Sequence, residues 1–251
     1  MVKQTNRFEF LLGSQLVVTL TINDMFAKAI EKINKSIFPI FFQKKMGTQT
    51  KIGVAGTGFF IDDKGHFITA SHVVEDAGDN SKLLYLGNVP HRKLTKPEET
   101  TEIKRDSVND LLIGQISHEM LPQLTLASKK PPVGKSLCIC GYPLAQLKLI
   151  PPSTLNIDNI RIYYQPTFVL DGFQGEHPYR GIVKKWDGFV TRDTSFPGMS
   201  GGPVFDETGT VYGMDVGILI RTIPQNSNSI IVKNGISIKS SVLSEFIKEL
   251  Q

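Results

Sequence analysis

The segment Asp193-Thr194-Ser195-Phe196-Pro197-Gly198-Met199-Ser200-Gly201-Gly202-Pro203 sets Ser200 among three glycines. A serine hydroxyl is a weak nucleophile at neutral pH. It needs a neighbouring base to take its proton and donors to hold the oxyanion that forms after attack. Gly198, lacking a Cβ, lets the chain turn so that its own N–H and that of Ser200 point at one oxygen. Gly201 and Gly202 leave room for a strand or a substrate to approach. A glycine-rich hairpin carrying an incidental serine would look the same in isolation. The assignment therefore depends on a base elsewhere in the chain.

Residues 56–74, Gly56-Thr57-Gly58-Phe59-Phe60-Ile61-Asp62-Asp63-Lys64-Gly65-His66-Phe67-Ile68-Thr69-Ala70-Ser71-His72-Val73-Val74, supply one. Phe59 to Ile61 and Phe67 to Thr69 are β-prone. Asp62-Asp63-Lys64-Gly65 between them is a hairpin turn with glycine where positive φ is tolerated. His72 follows directly, with small neighbours Ala70 and Ser71 leaving space around the ring. A lone histidine after a strand is more often structural, so its weight comes from pairing with Ser200. A third member is needed to fix the imidazole tautomer and stabilise the imidazolium. Ser107-Val108-Asn109-Asp110-Leu111-Leu112-Ile113 places Asp110 at the head of an apolar strand, where a partly buried carboxylate requires a partner. Asp106 is the rival carboxylate, but it does not abut the strand.

The order His72, Asp110, Ser200 with these flanks resembles the chymotrypsin-like (trypsin-like) serine proteases, and among them the bacterial HtrA/Deg branch. The pieces that carry the resemblance are Gly56-Thr57-Gly58-Phe59, Thr69-Ala70-Ser71-His72-Val73-Val74, Asp110-Leu111-Leu112, Gly141-Tyr142-Pro143, Pro197 to Pro203 and Gly235-Ile236-Ser237-Ile238. The resemblance implies an all-β fold of two six-stranded antiparallel barrels with the active site between them and a C-terminal helix. It places an N-terminal extension over residues 1–33 and a protease domain over 34–251. Within that domain, barrel one covers about 34–125, barrel two about 126–238 and the helix about 240–250. It implies a serine endopeptidase in which Ser200 attacks, His72 moves the proton, Asp110 orients His72, and the backbone N–H groups of Gly198 and Ser200 form the oxyanion hole. It calls for no metal or organic cofactor, and for a protein or peptide as substrate. An alternative is a catalytically latent trypsin-fold binding or regulatory module. An esterase with a Gly-x-Ser-x-Gly elbow would place the serine first in the chain, whereas here it comes last.

Two features depart from the family pattern. Met199 stands where digestive members carry the aspartate that pairs with a new N-terminus, and the run from Asp193 to Ser200 is one residue shorter than in the HtrA branch. The substrate pocket would take Thr194 as its base and Met214, Asp215 and Val216 as its wall. Thr194 carries no charge, which favours a small or medium apolar residue before the scissile bond, although Asp215 would supply a charge if it turned inward.

The rest of the sequence agrees with this reading. A chain of 251 residues, 40% hydrophobic, with 22 glycines and 14 prolines, suits many short strands around a sizeable core. The net charge of +4 comes from scattered lysines, including the doublets Lys44-Lys45, Lys129-Lys130 and Lys184-Lys185, and does not indicate nucleic-acid binding. Cys138 and Cys140 alternate along a strand, sharing one face, and are expected to be reduced. Val133-Gly134-Lys135-Ser136 ends like a phosphate-binding loop but lacks its first glycine and its helix. Phe10 to Ile22 is apolar after Lys3 and Arg7 but interrupted by Gly13, Ser14 and Gln15. The expectation is a cytoplasmic protein with no integral membrane span, with export by an atypical signal as the alternative. A short helix capped by Asp24 is expected over 25–33, and a final helix over 240–250 buries Val242, Leu243, Phe246, Ile247 and Leu250. No PDZ module is expected after it. Residues 171–181 read as a long loop overhanging the cleft, and Trp186 as a core residue.

Overall fold

The computed structural model describes residues 25–46, 49–77, 81–85, 98–117, 122–143, 146–150, 154–158, 161–225 and 228–250. The elements run α1 (Ala27–Ile33), β1 (Ile37–Met46), β2 (Gln49–Phe60), β3 (His66–Thr69), α2 (Ser71–Ala77), β4 (Ser81–Tyr85), β5 (Glu98–Glu99), β6 (Thr101–Asp106) and β7 (Leu111–Gln115). They continue as β8 (Thr125–Leu126), β9 (Ser136–Gly141), β10 (Gln146–Ile150), β11 (Thr154–Asp158), β12 (Tyr163–Tyr179), β13 (Ile182–Thr191), β14 (Pro203–Phe205), β15 (Thr210–Gln225), β16 (Asn228–Lys239) and α3 (Ser240–Lys248).

The strands form two seven-stranded sheets, in the orders β5-β4-β1-β2-β3-β7-β6 and β14-β9-β12-β13-β16-β15-β8, with β10 and β11 pairing apart. An extra β14–β15 pairing joins the first strand of the second sheet back towards its far side and curls it into a barrel. The expected all-β architecture with a C-terminal helix is therefore the one adopted. The two-residue strands β5 and β8, the latter parallel to β15, raise each expected count of six to seven.

The expected hairpin turn is built by Asp62, whose Oδ1 accepts the N–H groups of Lys64 and His66 at 2.9 and 3.1 Å, while Gly65 sits at φ +86°. It pairs Phe59 with Ile68 and Phe60 with Phe67. On its other side β3 pairs with β7, setting Thr69 opposite Leu112. That single register brings the residues just after β3 beside the residue just before β7, namely His72 beside Asp110.

A core of buried side chains runs through Phe38, Phe41, Phe59, Phe60, Phe67 and Ile113 and continues to Cys138, Cys140, Phe205 and Ile238, while Leu137, Ile139, Val169, Phe189, Met199 and Val204 form a second cluster. The division of β9 between the clusters is the period-2 alternation expected of a strand, with both cysteines free on one face. Trp186 is 8% exposed and stacks on His177 with centroids 5.2 Å apart.

α1 starts two residues later than the expected helix, with Phe26 in the cap position and no side-chain cap; Asp24 lies outside the described residues, as does the apolar run 10–22. Phe26, Ala29 and Ile33 are buried, and Phe26 meets Phe205 edge-on at 6.1 Å. The described part of the expected 1–33 extension is thus packed into the core. α3 buries Leu243 and Phe246, a contribution of about 1.5–3 kcal/mol each. Lys104 on β6 donates to Phe246 O at 3.3 Å and ties the helix to the first sheet.

Of the expected loop over 171–181, residues 171–179 are strand and only 180–181 are turn. Glycines, charges and a proline gave them a loop composition, yet β12 pairs with β13 from Asp171 opposite Val190 to Tyr179 opposite Ile182. The turn between them, Arg180-Gly181, has positive φ at both residues, +47° and +81°, as tight hairpins require.

Candidate active site

Asp110 heads β7 in an unusual backbone state, φ +60°, which costs a non-glycine residue on the order of 1 kcal/mol. In return its carboxylate points at α2. Oδ2 lies 2.8 Å from His72 Nδ1, and Oδ1 accepts the His72 backbone N–H at 3.0 Å. Oδ1 also meets Ser71 Oγ at 3.0 Å and the Lys184 ammonium at 3.1 Å. Burial pushes the Asp110 carboxyl up, but the His72 hydrogen bond and the charges of His72 and Lys184 outweigh it and hold the group well below the usual carboxylate range. For His72, burial and Lys184 act downward, whereas Asp110 and Asp76 act upward and prevail. With Nδ1–H committed to Asp110, the imidazole presents Nε2 as the free acceptor. Asp106, the rival carboxylate, is occupied with the turn: it accepts from Val108 N, Asn109 N and Asn109 Nδ2 at 3.0, 2.9 and 2.6 Å.

The Ser200 loop is held by the first sheet. Thr57 N–H donates to Ser200 O at 2.9 Å, Thr57 Oγ1 donates to Gly198 O at 2.7 Å, and the same hydroxyl accepts Tyr142 N–H at 3.0 Å. Gly198 and Gly201 adopt φ +97° and +85°. A Cβ on Gly201 would lie 2.2 Å from both Thr57 O and Thr69 Oγ1. Met199, at the position where an aspartate was expected to be missing, is fully buried, and its sulfur accepts Phe196 N–H at 3.5 Å. Met199 N–H is taken by Phe196 O at 2.9 Å.

His72, Gly198 and Ser200 line one cavity of about 400 Å³, which Tyr179 overhangs from the β12–β13 hairpin. The Tyr179 and His72 ring centroids are 5.9 Å apart, and the Tyr179 hydroxyl binds Asp76 on α2. Phe42, Val54, Phe196 and Ile218 give the cavity an apolar wall. The expected pocket residues Thr194, Met214, Asp215 and Val216 are not part of that wall; their neighbours Ser195, Gly217 and Ile218 are. Alternation along β15 turns Met214 and Val216 into the core. Asp215 is fully buried, and burial pushes its carboxyl up to about 7, with Ser195 and His72 drawing it partly back.

Thr57, Lys184 and the Ser71–Glu75 pair were not picked out by the sequence as site residues. Thr57 lies inside the Gly56-Thr57-Gly58 motif, which was the available signal. Lys184 lay in a doublet read as solvated surface.

Residues 56–214, more than half of the chain, match the family model described as the trypsin-like peptidase domain. A probable periplasmic serine endoprotease, DegP-like, of Chlamydia trachomatis serovar D is 25% identical over 193 residues, covering 74% of this chain and 34% of that protein. The serine protease Rv3671c of Mycobacterium tuberculosis is 28% identical over 169 residues, covering 66% of this chain and 36% of that protein. The chain thus spans about a third of the length of these curated relatives. In three dimensions it matches the active form of the Rv3671c protease with a TM-score of 0.62 at 19% identity, over 88% of this chain and 83% of that one. It matches the HtrA-type protease AlgW with tripeptide equally, at 0.62 and 16% identity, over 90% and 63%. With the two sheets, the paired His72 and Asp110 and the glycine-framed Ser200 in place, these matches make the chain a member of the trypsin-like peptidase family.

Proposed function

We propose that the chain is a serine endopeptidase using His72, Asp110 and Ser200. The observation that carries this reading is the 2.8 Å His72–Asp110 contact on the wall of the cavity that Ser200 and Gly198 also line. Ser200 Oγ attacks the carbonyl carbon of a peptide bond as His72 Nε2 takes its proton. The oxyanion is held by the N–H groups of Gly198 and Ser200, neither of which donates to a protein acceptor among the described residues. Collapse of the tetrahedral intermediate expels the amine, which receives the proton from His72, and leaves an acyl-serine. Water then attacks the ester with the same base, releasing the acid and restoring Ser200. Each oxyanion donor in such a site contributes roughly 2.7–4 kcal/mol of transition-state stabilisation.

The apolar wall supports a substrate with a small or medium apolar side chain at the cleavage point, as does the burial of Asp215 away from the cavity. The word periplasmic in the name of the Chlamydia relative favours the exported alternative over the cytoplasmic expectation. No helix among the described residues is long and apolar enough to cross a membrane. The test is labelling with a fluorophosphonate serine-hydrolase probe beside Ser200→Ala and His72→Ala. Labelling of the parent, lost in both variants, is the expected result; a folded parent that takes no label would overturn the reading. A peptide library then reads the specificity, and dominant cleavage after Lys or Arg would refute the apolar preference.

A further inference from the structure

Lys184 is a lysine with no exposed surface. Its ammonium uses its three protons on three acceptors: Glu75 Oε2 at 2.7 Å, Ser71 Oγ at 2.9 Å and Asp110 Oδ1 at 3.1 Å. Burying an ammonium is costly unless carboxylates compensate it closely, and here two do. The lysine comes from β13, in the second sheet, while all three acceptors belong to the first half of the chain. Its strand is pinned there by Lys185 N–H donating to Val108 O at 2.7 Å.

We propose that Lys184 is a positioning residue of the triad, a cation delivered by the β12–β13 hairpin that fixes the Asp110 carboxylate against His72. Its catalytic meaning rests on the triad reading above. Asp110 Oδ1 collects the Lys184 ammonium, the His72 backbone N–H and the Ser71 hydroxyl, which leaves Oδ2 for His72 Nδ1. The Ser71 hydroxyl has one proton for two carboxylates, Asp110 and Glu75, each 3.0 Å away. It therefore cannot fix Asp110 alone, and the ammonium is the donor that does not choose.

Lys184 also sets a charge balance. The groups facing His72 are Glu75 and Asp76 on α2, Asp110 before β7, Lys184, Tyr179 and Arg180 on the hairpin, and Asp215 on β15. Within the buried set, Asp110, Glu75 and Lys184 sum to one negative charge, which the imidazolium formed during proton transfer neutralises. Without Lys184 that set would carry two negative charges, and His72 would stay protonated too far toward neutral pH to act as a base there. Lys184 opposes the upward pull of Asp110 on His72. Its removal thus moves the His72 titration upward and shifts the acid limb of activity to higher pH.

The experiment follows the His72 ring nitrogens by NMR titration in the parent and in Lys184→Met, and measures fluorophosphonate labelling rates across the same pH range. The His72 midpoint is expected to rise by about half a pH unit or more in the variant. The acid limb of labelling should move with it, and the pH 7 rate should drop about tenfold or more. A folded Lys184→Met whose midpoint stays within about 0.2 units of the parent would overturn the proposal. Should the lone carboxylates prevent folding, Glu75→Gln with Lys184→Met removes both charges and restores the net charge of minus one; its midpoint should stay near the parent's while labelling still slows about tenfold, and labelling as fast as the parent's would overturn the proposal. A parent that takes no probe while its His72 midpoint still responds to Lys184→Met would sink the endopeptidase reading and leave the placement of Lys184 standing.

Discussion

The two halves of the site are held by different physics. The Ser200 loop is fixed by neutral contacts and close packing: the Thr57 amide and hydroxyl on Ser200 O and Gly198 O, glycines at positive φ, and a buried Met199. The acid–base half is fixed by charge, through Asp110, His72, Lys184 and Glu75. A neutral hydrogen bond contributes about 1 kcal/mol net, whereas removing one member of a buried ion pair costs roughly 3–5 kcal/mol. The loop therefore depends on many small fits, and the acid–base half on a few large ones.

The sharpest break in that contrast is Asp110→Asn. It keeps the shape but lets the imidazole adopt the wrong tautomer, so labelling should slow by about 10⁴. Circular dichroism and probe kinetics on the same sample would check it; a loss under about tenfold would remove Asp110 from its assigned role.

Asp215→Asn probes a buried carboxyl that has no cation beside it. Burial pushes Asp215 up to about 7, so from about 3.9 upward the unfolded chain releases a proton that the folded chain keeps. Stability therefore falls as pH rises through that window. The asparagine variant has no proton to release and should lack the fall. Its advantage over the parent should grow from pH 4.5 to 7.5 and reach up to about 4 kcal/mol. Urea unfolding at those pH values measures it, and parallel curves would show that the carboxyl is not held protonated.

On the neutral side, Thr57→Val keeps the shape and deletes the hydroxyl that donates to Gly198 O and accepts from Tyr142 N–H. A slight shift of the oxyanion loop should slow labelling about a hundredfold with stability changed far less. Unchanged labelling would mean that Ser200 and the glycines hold the loop without it. The smallest effect is expected at the exposed end of the hairpin. Tyr179→Phe removes the hydroxyl contact with Asp76 and should cost less than about 1 kcal/mol and less than about fivefold in labelling rate. A larger loss would place Tyr179 in the machinery of the site.

What could be read in the sequence was local in the chain. The Asp62–Gly65 turn, the strand that leads to His72, the glycines around Ser200 and the apolar stripe of α3 each lie within about a dozen residues, so periodicity and turn chemistry reached them. Lys184 could not be reached that way: its partners lie 74 to 113 residues away, and a lysine doublet gives no sign of which member turns inward. The β12–β13 hairpin was missed for a related reason. An exposed ribbon buries little, so its strands lack the apolar alternation by which strands are recognised, and Asp171 to Tyr179 carried loop composition instead. Thr57 was legible as a motif position, but not its contact with Gly198, 141 residues on.

Cys138 and Cys140 remain free and buried, and burial pushes the Cys138 thiol up to about 12 and Cys140 well above its ordinary value. A thiol that stays protonated and shielded reacts with neither oxidants nor alkylating agents at an appreciable rate. The fold therefore carries a built-in gauge. Iodoacetamide would modify these two sulfurs only while the second sheet is open, so their alkylation rate reports the fraction of molecules open at any moment without any added dye.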